Sequence, residues 1–274
     1  MLLFPHAKIN LGLNVVRRRD DGYHDLQSIM VPIPLHDALE AVLDPTLDEN
    51  NVVFTRSGIP VPGDPDRDLC MKAVDAVRAI GNMPGIRLHL HKAIPMGAGL
   101  GGGSSDGTHT LLLLNSLLGL GLRQEQLHRM ATALGSDCPF FLTRNAQLAE
   151  GRGERLRAVP LDLKGYWLVL VNPGIHVSTA EVFGNTTPTG TEMQFDDLLL
   201  DRPLEYWDQD LRNTMEPYVL NMHPEVGRIK EKLRSAGAGH CAMSGSGSSV
   251  FGIFRTPPPK LEWPGTHASW TMML

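Results

Sequence analysis

Lys92-Ala93-Ile94-Pro95-Met96-Gly97-Ala98-Gly99-Leu100-Gly101-Gly102-Gly103-Ser104-Ser105 is the stretch on which the reading of this chain turns. Five glycines fall within the seven positions from Gly97 to Gly103. Glycine reaches positive φ, and its missing Cβ lets backbone N–H groups come close to a ligand. Ahead of the loop Ile86, Leu88 and Leu90 alternate with Arg87, His89 and His91, so a strand runs up to Pro95. Behind it, the leucine-rich residues 105–118 read as a buried helix. A loop that feeds a helix N-terminus presents free N–H groups and the positive end of the helix dipole, and a polyphosphate is the natural occupant. Ser104 and Ser105 are placed to cap that helix and to donate to phosphate oxygens. A flexible linker would not be flanked by an amphipathic strand and a buried leucine helix.

Two commoner phosphate motifs do not fit. Gly97, Gly99 and Gly102 satisfy G-x-G-x-x-G as a bare pattern. A dinucleotide fingerprint also needs a tight strand-to-helix turn and an acid about 20 residues on. Here Lys92 to Pro95 intervene, and residues 111–122 contain no acid, which disfavours an NAD-dependent enzyme. A Walker A loop needs Gly-Lys-Ser/Thr, and the chain has no such triplet.

The rest of the chain reads as an ordinary packed protein. Its 274 residues are 42% hydrophobic and 20% charged, enough for one large domain or two modest ones. A net charge of -5 argues against nucleic acid or an anionic membrane as the main partner. The one basic run, Arg17-Arg18-Arg19, meets Asp20-Asp21 at once and reads as a solvated turn. Cys70, Cys138 and Cys241 lie far apart, without CxxC spacing, which suits a reducing compartment better than a zinc site or a disulfide framework. No signal peptide is evident, and every apolar run is far short of the ~20 residues of a membrane span, so a cytoplasmic protein is expected.

Residues 7–16 alternate with period two and predict a strand, with Lys8 and Asn10 on the face opposite the apolar one. Residues 26–35 predict a second strand, weakened by Pro32 and Pro34. A helix is expected at about 68–80 after the loop Asp64-Pro65-Asp66. Leu127, Met130, Ala131 and Leu134 predict another that Gly135 stops. Trp167 to Val171 and Val250 to Phe254 read as strands. Pro224 opens a helix carrying Val226, Ile229, Leu233 and Ala236, which Gly237 ends. Strands and helices mix without regular βαβ alternation, favouring α+β over a doubly wound sheet. The turn-rich segments 143–165 and 184–192 are candidate boundaries; the first gives domains 1–155 and 156–274.

Pro95 to Ser105, followed by Asp106, resembles the ATP loop of the GHMP kinase superfamily, which includes galactokinase, homoserine kinase and mevalonate kinase. Three further segments are similar to one branch: Ala7-Lys8-Ile9-Asn10-Leu11-Gly12-Leu13, Arg19-Asp20-Asp21-Gly22-Tyr23-His24-Asp25-Leu26, and Gly135-Ser136-Asp137-Cys138-Pro139-Phe140-Phe141. Gly151 to Glu154, Val177-Ser178-Thr179 with Phe183, and Met243 to Ser248 follow in order, so the likeness runs to about residue 254. The glycine loop marks only the superfamily; Gly22-Tyr23-His24 joined to Lys8 and Asn10 marks the branch. Three places depart from its pattern: Gly107-Thr108-His109 replaces an alanine-rich helix start, Asn213-Thr214-Met215-Glu216 stands where Asn-Asp-hydrophobic-Glu is common, and Asp68 replaces Asn.

The resemblance implies a two-domain α+β fold. Its N-terminal α/β domain has a left-handed βαβ-type nucleotide site, and its C-terminal domain is ferredoxin-like. It implies ATP-dependent phosphorylation of the 2-hydroxyl of a cytidine diphosphate derivative of methylerythritol, a small-molecule substrate of non-mevalonate isoprenoid synthesis. A monomer or homodimer is expected. Asp137 would accept the hydroxyl proton, with Lys8 beside it and Asn10 orienting the acceptor. Without the resemblance, Asp137 reads equally as a helix N-cap and Lys8 as a solvated strand residue. Tyr23 and Phe183 are candidates to sandwich the cytosine, and His24 to bond its edge. Thr179 falls in the same substrate-binding set. Lys92 reaches the nucleotide or simply ends its strand, and Met243 to Ser248 either lines the site or links a helix to a strand. Mg2+ is expected with ATP, with Ser105 as its best protein ligand. The rival readings are a homoserine- or mevalonate-type kinase and a non-catalytic sugar-nucleotide sensor on the same fold.

Overall fold

The computed structural model describes residues 1–193, Phe195 and 203–274. Its strands are β1 (Leu2–Leu3), β2 (His6–Arg18), β3 (His24–His36), β4 (Ala38–Leu43), β5 (Val52–Gly58) and β6 (Ile86–Lys92), then β7 (Gln147–Gly151) and β8 (Arg155–Ala158). Four more follow: β9 (Trp167–Asn172), β10 (His240–Met243), β11 (Val250–Phe254) and β12 (Ala268–Met273). The helices that matter here are α1 (Leu69–Arg78), α2 (Gly102–Leu117), α3 (Gln124–Leu134), α4 (Thr179–Asn185), α5 (Glu216–Met222) and α6 (Pro224–Ser235).

The chain packs as two units that are not sequential. Met1–Ala7, Leu35–Met96 and Gly101–Arg144 form the first; Lys8–Pro34, Gly97–Leu100 and Asn145–Leu274 form the second. This differs from a single cut at residue 155, because residues 8–34 pack with the C-terminal half.

In the first unit the sheet order is β1-β4-β6-β5. β5 and β6 run parallel with α1 between them in the chain, a βαβ connection, whereas β4 and β6 run antiparallel. The expected alternation of β6 holds, with Ile86, Leu88 and Leu90 buried. They join Cys70, Val74 and Val77 of α1 and Leu111, Leu113 and Leu114 of α2 in one core. Asp68 caps α1 by accepting a hydrogen bond from the Cys70 amide at 2.9 Å, a role that Asn would also fill. Gly107 lets the start of α1 come close: a Cβ there would lie 2.9 Å from Leu69 Cβ. The departure from alanine at 107 therefore has a packing cause.

The second unit carries two sheets, β2-β3-β7-β8 and β10-β11-β9-β12. Val226, Ile229 and Leu233 of α6 pack with Val169, Val171 and Val250, together with Leu13 and Val15 of β2. The helix opened by Pro224 ends before Gly237, whose φ is +95°. β3 runs unbroken through Pro32 and Pro34, against the expected weakening. It pairs with β7 only over Leu26–Met30, so the prolines lie beyond that ladder and remove none of its bonds. Contrary to the expected polar face, β2 is buried on both sides from His6 to Val15. The basic run ends β2 and is paired: Arg17 and Arg19 reach Asp25 at 2.5 and 2.9 Å across the turn at Gly22.

Candidate active site

In the first unit, α2 starts at Gly102, three residues before the expected position. Its N-cap is Gly101, in the left-handed region with φ +69°. Ser104 and Ser105 therefore lie inside the first turn and are not caps. That turn holds no acidic side chain, so its free amides keep their positive character. Pro95 is half-buried and Met96 exposed at the loop entrance. His109 donates from Nδ1 to the Ser105 carbonyl at 2.9 Å, and Thr108 donates to the Cys138 carbonyl at 2.8 Å. These bonds account for the other two departures from alanine. Burial drops the His109 pKa to about 4.

Lys92 ends β6 with its side chain turned into the interior. Its side chain is fully buried and its ammonium is shared by Asp37 and Asp106, the latter at 2.7 Å. Burial opposes its charge, but the two carboxylates outweigh burial and hold the lysine above its ordinary value. Asp37 Oδ1 also accepts the amides of Ala93 and Ile94 at 2.6 and 2.9 Å. Asp37 escaped the sequence reading because nothing local marks it; it is 55 residues from its lysine.

Asp137 precedes the 3-10 helix Cys138–Leu142, whose start holds Pro139. It stands at the N-cap position, as expected, but its carboxylate accepts no capping bond from that helix. Neighbouring Cys138 is no nucleophile, since burial pushes its thiol up to about 11.

In the second unit, Gly97–Leu100 meets the Met243–Ser249 loop. That loop joins two strands, β10 and β11, rather than a helix and a strand. The Ser244 hydroxyl donates to the Gly99 carbonyl at 2.8 Å, and the Ser249 amide to the Ala98 carbonyl at 3.3 Å. A Cβ on Gly99 would lie 1.9 Å from the Ser244 carbonyl oxygen. Asn213 Nδ2 donates to the carbonyls of Met243 and Gly245, both at 2.8 Å, and so fixes the second loop from behind. Asn213 lay in a quoted motif, but no role for it was readable without the fold.

Lys8 and Asn10 share a face of β2 as expected, yet both are buried. The solvated reading of Lys8 fails. Lys8 Nζ donates to Asn10 Oδ1 at 2.5 Å, and Asn10 Nδ2 donates to the Ser28 hydroxyl at 2.7 Å. The Asn10 amide donates to Ser244 Oγ at 3.2 Å, and the Lys8 amide to the Leu100 carbonyl at 3.0 Å. One strand therefore carries the candidate catalytic lysine and the candidate substrate-binding Asn10, and touches both glycine loops within this unit.

The aromatic residues assemble differently from the expected sandwich. His24 stacks on Phe183, with ring centroids 5.1 Å apart and planes at 19°. Tyr23 is 55% exposed, and the Arg152 guanidinium lies 4.7 Å from its ring centroid. Thr179 Oγ1 is 2.8 Å from Ser246 Oγ, joining α4 to the second glycine loop.

The described residues do not fit a dedicated magnesium site. Among them no group of three or more His, Cys, Asp or Glu side chains could hold a metal ion. Ser105 is fully buried, with its hydroxyl 3.3 Å from His109 Nδ1, and Asp106 is committed to Lys92. No described helix is long and apolar enough to cross a membrane.

Two family models match, the GHMP kinases N terminal domain over residues 68–145 and the GHMP kinases C terminal domain over residues 197–261. The chain is 43% identical to the 4-diphosphocytidyl-2-C-methyl-D-erythritol kinase of Parabacteroides distasonis, covering 94% of this chain and 93% of that one. It is 42% identical to the enzyme of the same name from Bacteroides fragilis, over 95% and 94%. A crystal structure of 4-(cytidine 5'-diphospho)-2C-methyl-D-erythritol kinase superposes with TM-score 0.78 at 32% identity, covering 94% of this chain and 91% of that one. Homoserine kinase from Cytophaga hutchinsonii shares the fold, with TM-score 0.71 at 15% identity over 100% and 94%. The chain belongs to the GHMP kinases and, within them, to the family of the 4-diphosphocytidyl-2-C-methyl-D-erythritol kinases.

Proposed function

We propose that the protein transfers the γ-phosphate of ATP to the 2-hydroxyl of 4-diphosphocytidyl-2-C-methyl-D-erythritol, in the cytoplasm, as a step of non-mevalonate isoprenoid synthesis. The observation that carries this reading is 43% identity over 94% of the chain to an enzyme of that name. Lys8, Asn10, Tyr23, His24 and Asp137 all stand inside the matching segments. A homoserine- or mevalonate-type kinase has only the fold in its favour, at 15% and 14% identity. Three free, buried cysteines suit a reducing compartment.

The chemistry needs alignment, charge neutralisation and a proton acceptor. Asp137 takes the proton from the 2-hydroxyl as its oxygen attacks the γ-phosphorus, and the β-phosphate oxygen leaves with ADP. Lys8 favours the ionised carboxylate and the developing alkoxide. Asn10, anchored by Ser28, orients the acceptor. The amides of Gly97 to Ser105 and the N-terminus of α2 receive the phosphates. The cytosine stacks on Tyr23 and Phe183, since an aromatic face suits a base, and His24, which lies against Phe183, bonds its edge. Mg2+, brought by ATP, would neutralise phosphate charge without a dedicated carboxylate cage from this chain. Phosphorus NMR of the product tests the assignment: a new monophosphate on the methylerythritol moiety is expected. Turnover of homoserine or mevalonate but not of this acceptor would refute it.

A further inference from the structure

The buried group under the first turn of α2 has a part in the reaction beyond packing. Asp37 Oδ1 takes the amides of Ala93 and Ile94, at the entrance of the glycine loop. Its other oxygen takes Lys92 Nζ, which also donates to Asp106 on α2, at the loop's exit, at 2.7 Å. Gly102, the first residue of α2, sits directly over the ammonium: a Cβ there would lie 3.2 Å from Nζ. Entrance and exit are thus tied through one ammonium, all of it withdrawn from solvent. One cation faces two carboxylates, and Asp106 Oδ1 is buried without a hydrogen-bond partner. Leaving such groups in the interior is costly, so replacing the set by apolar residues would often stabilise a fold. A device that is costly and stiff in this way is explained by what it holds in place.

We propose that Lys92, Asp37 and Asp106 are positioning residues for ATP, fixing the two ends of the glycine loop at the separation a bound triphosphate requires. The inference rests on the reading of that loop as the phosphate site. It differs from a nucleotide contact by Lys92, because the buried ammonium is engaged by two carboxylates. A protonated Asp106 would balance the charge, and burial does push its pKa well above the ordinary carboxylate range. Asp106→Asn then resembles the resident group, while Asp37→Asn loses an anion that holds two amides and an ammonium.

Steady-state kinetics on Asp37→Asn, Lys92→Met and Asp106→Asn, alongside thermal melts of each full-length protein, test it. Asp37→Asn is expected to raise KM for ATP about tenfold or more, as loss of a charge-assisted hydrogen bond does. KM for the methylerythritol acceptor should stay within about twofold, and Asp106→Asn, which keeps an oxygen acceptor for Lys92, should raise KM for ATP less than Asp37→Asn does. If Lys92→Met fails to fold, the two aspartate variants carry the test. An unchanged KM for ATP in folded Asp37→Asn overturns the proposal. So does a parallel rise of both KM values with a lowered melting temperature, which a merely structural role would produce. Equilibrium dialysis of ATP against wild type separates the two levels. Wild type that binds no ATP sinks the phosphate-loop reading, whereas wild type that binds with an unaffected Asp37→Asn sinks only the positioning role.

Discussion

Asp137 is the residue on which turnover depends most in the proposed reaction. Asp137→Asn removes the base while keeping the size of the side chain. Its kcat is expected to fall about 10²- to 10⁴-fold, while circular dichroism shows the variant folded. Full activity in that variant would refute the assignment. Phe183 contributes through its face: Phe183→Ala removes a stacking surface of about 1–3 kcal/mol per base. KM for the acceptor should rise at least fivefold while KM for ATP stays put, as initial rates against each substrate would show. His109 makes a prediction about pH. Its folded pKa is about 4, against an unfolded value of about 6.5. Between those values the unfolded chain binds the proton and the folded chain does not, so acid favours unfolding. The stability that the neutral ring contributes is complete above about pH 6.5 and is lost as pH falls towards 4. Urea titrations across that window should show a shallower loss in His109→Gln than in wild type.

Among the elements, the two glycine loops offer a sharp contrast with an ordinary turn. Gly99 has φ +76° and faces the Ser244 carbonyl, so a Cβ cannot be accommodated unless the loops part. Gly119 also has positive φ, at +62°, but open space around it. Gly119→Ala should therefore cost about 1–2 kcal/mol for the left-handed backbone alone and leave KM for ATP unchanged. Gly99→Ala should cost more than that and raise KM for ATP as well, read by urea unfolding and kinetics on the same preparations. These elements also show what sequence conveys. β6, β11 and α6 were legible because their apolar period is regular and glycine or proline marks an end. The start of α2 was hidden, since glycines in a helical turn look like loop. The polar residues of β2 suggested an exposed face, but Asn10 and Asn14 are buried against Ser28 and Thr191, partners that no local pattern announces. The same holds for Asp37: the loop announced a phosphate site, while the group that holds its ends is assembled over long range.

For the whole molecule, the interleaving of the two units decides what can be cut. Leu13 and Val15 are part of the core formed by β9, β11 and α6. The Leu13 amide donates to the Arg212 carbonyl at 3.0 Å, and the Thr214 amide to the Leu13 carbonyl at 2.8 Å. A fragment of residues 156–274 lacks both the apolar pair and this bridge. It should give no cooperative thermal transition by circular dichroism, while addition of a peptide carrying residues 6–18 should restore helicity. A cooperative melt of the fragment alone would show that the C-terminal half folds without β2. The same interleaving governs the order of events during synthesis. Leu13 leaves the ribosome early, and its partners Arg212 and Thr214 follow about 200 residues later, roughly 10–40 s at the usual rates of about 5–20 residues per second. Through that interval one end of a long apolar strand waits for its second neighbour, and it is the stretch of the nascent chain most in need of cover.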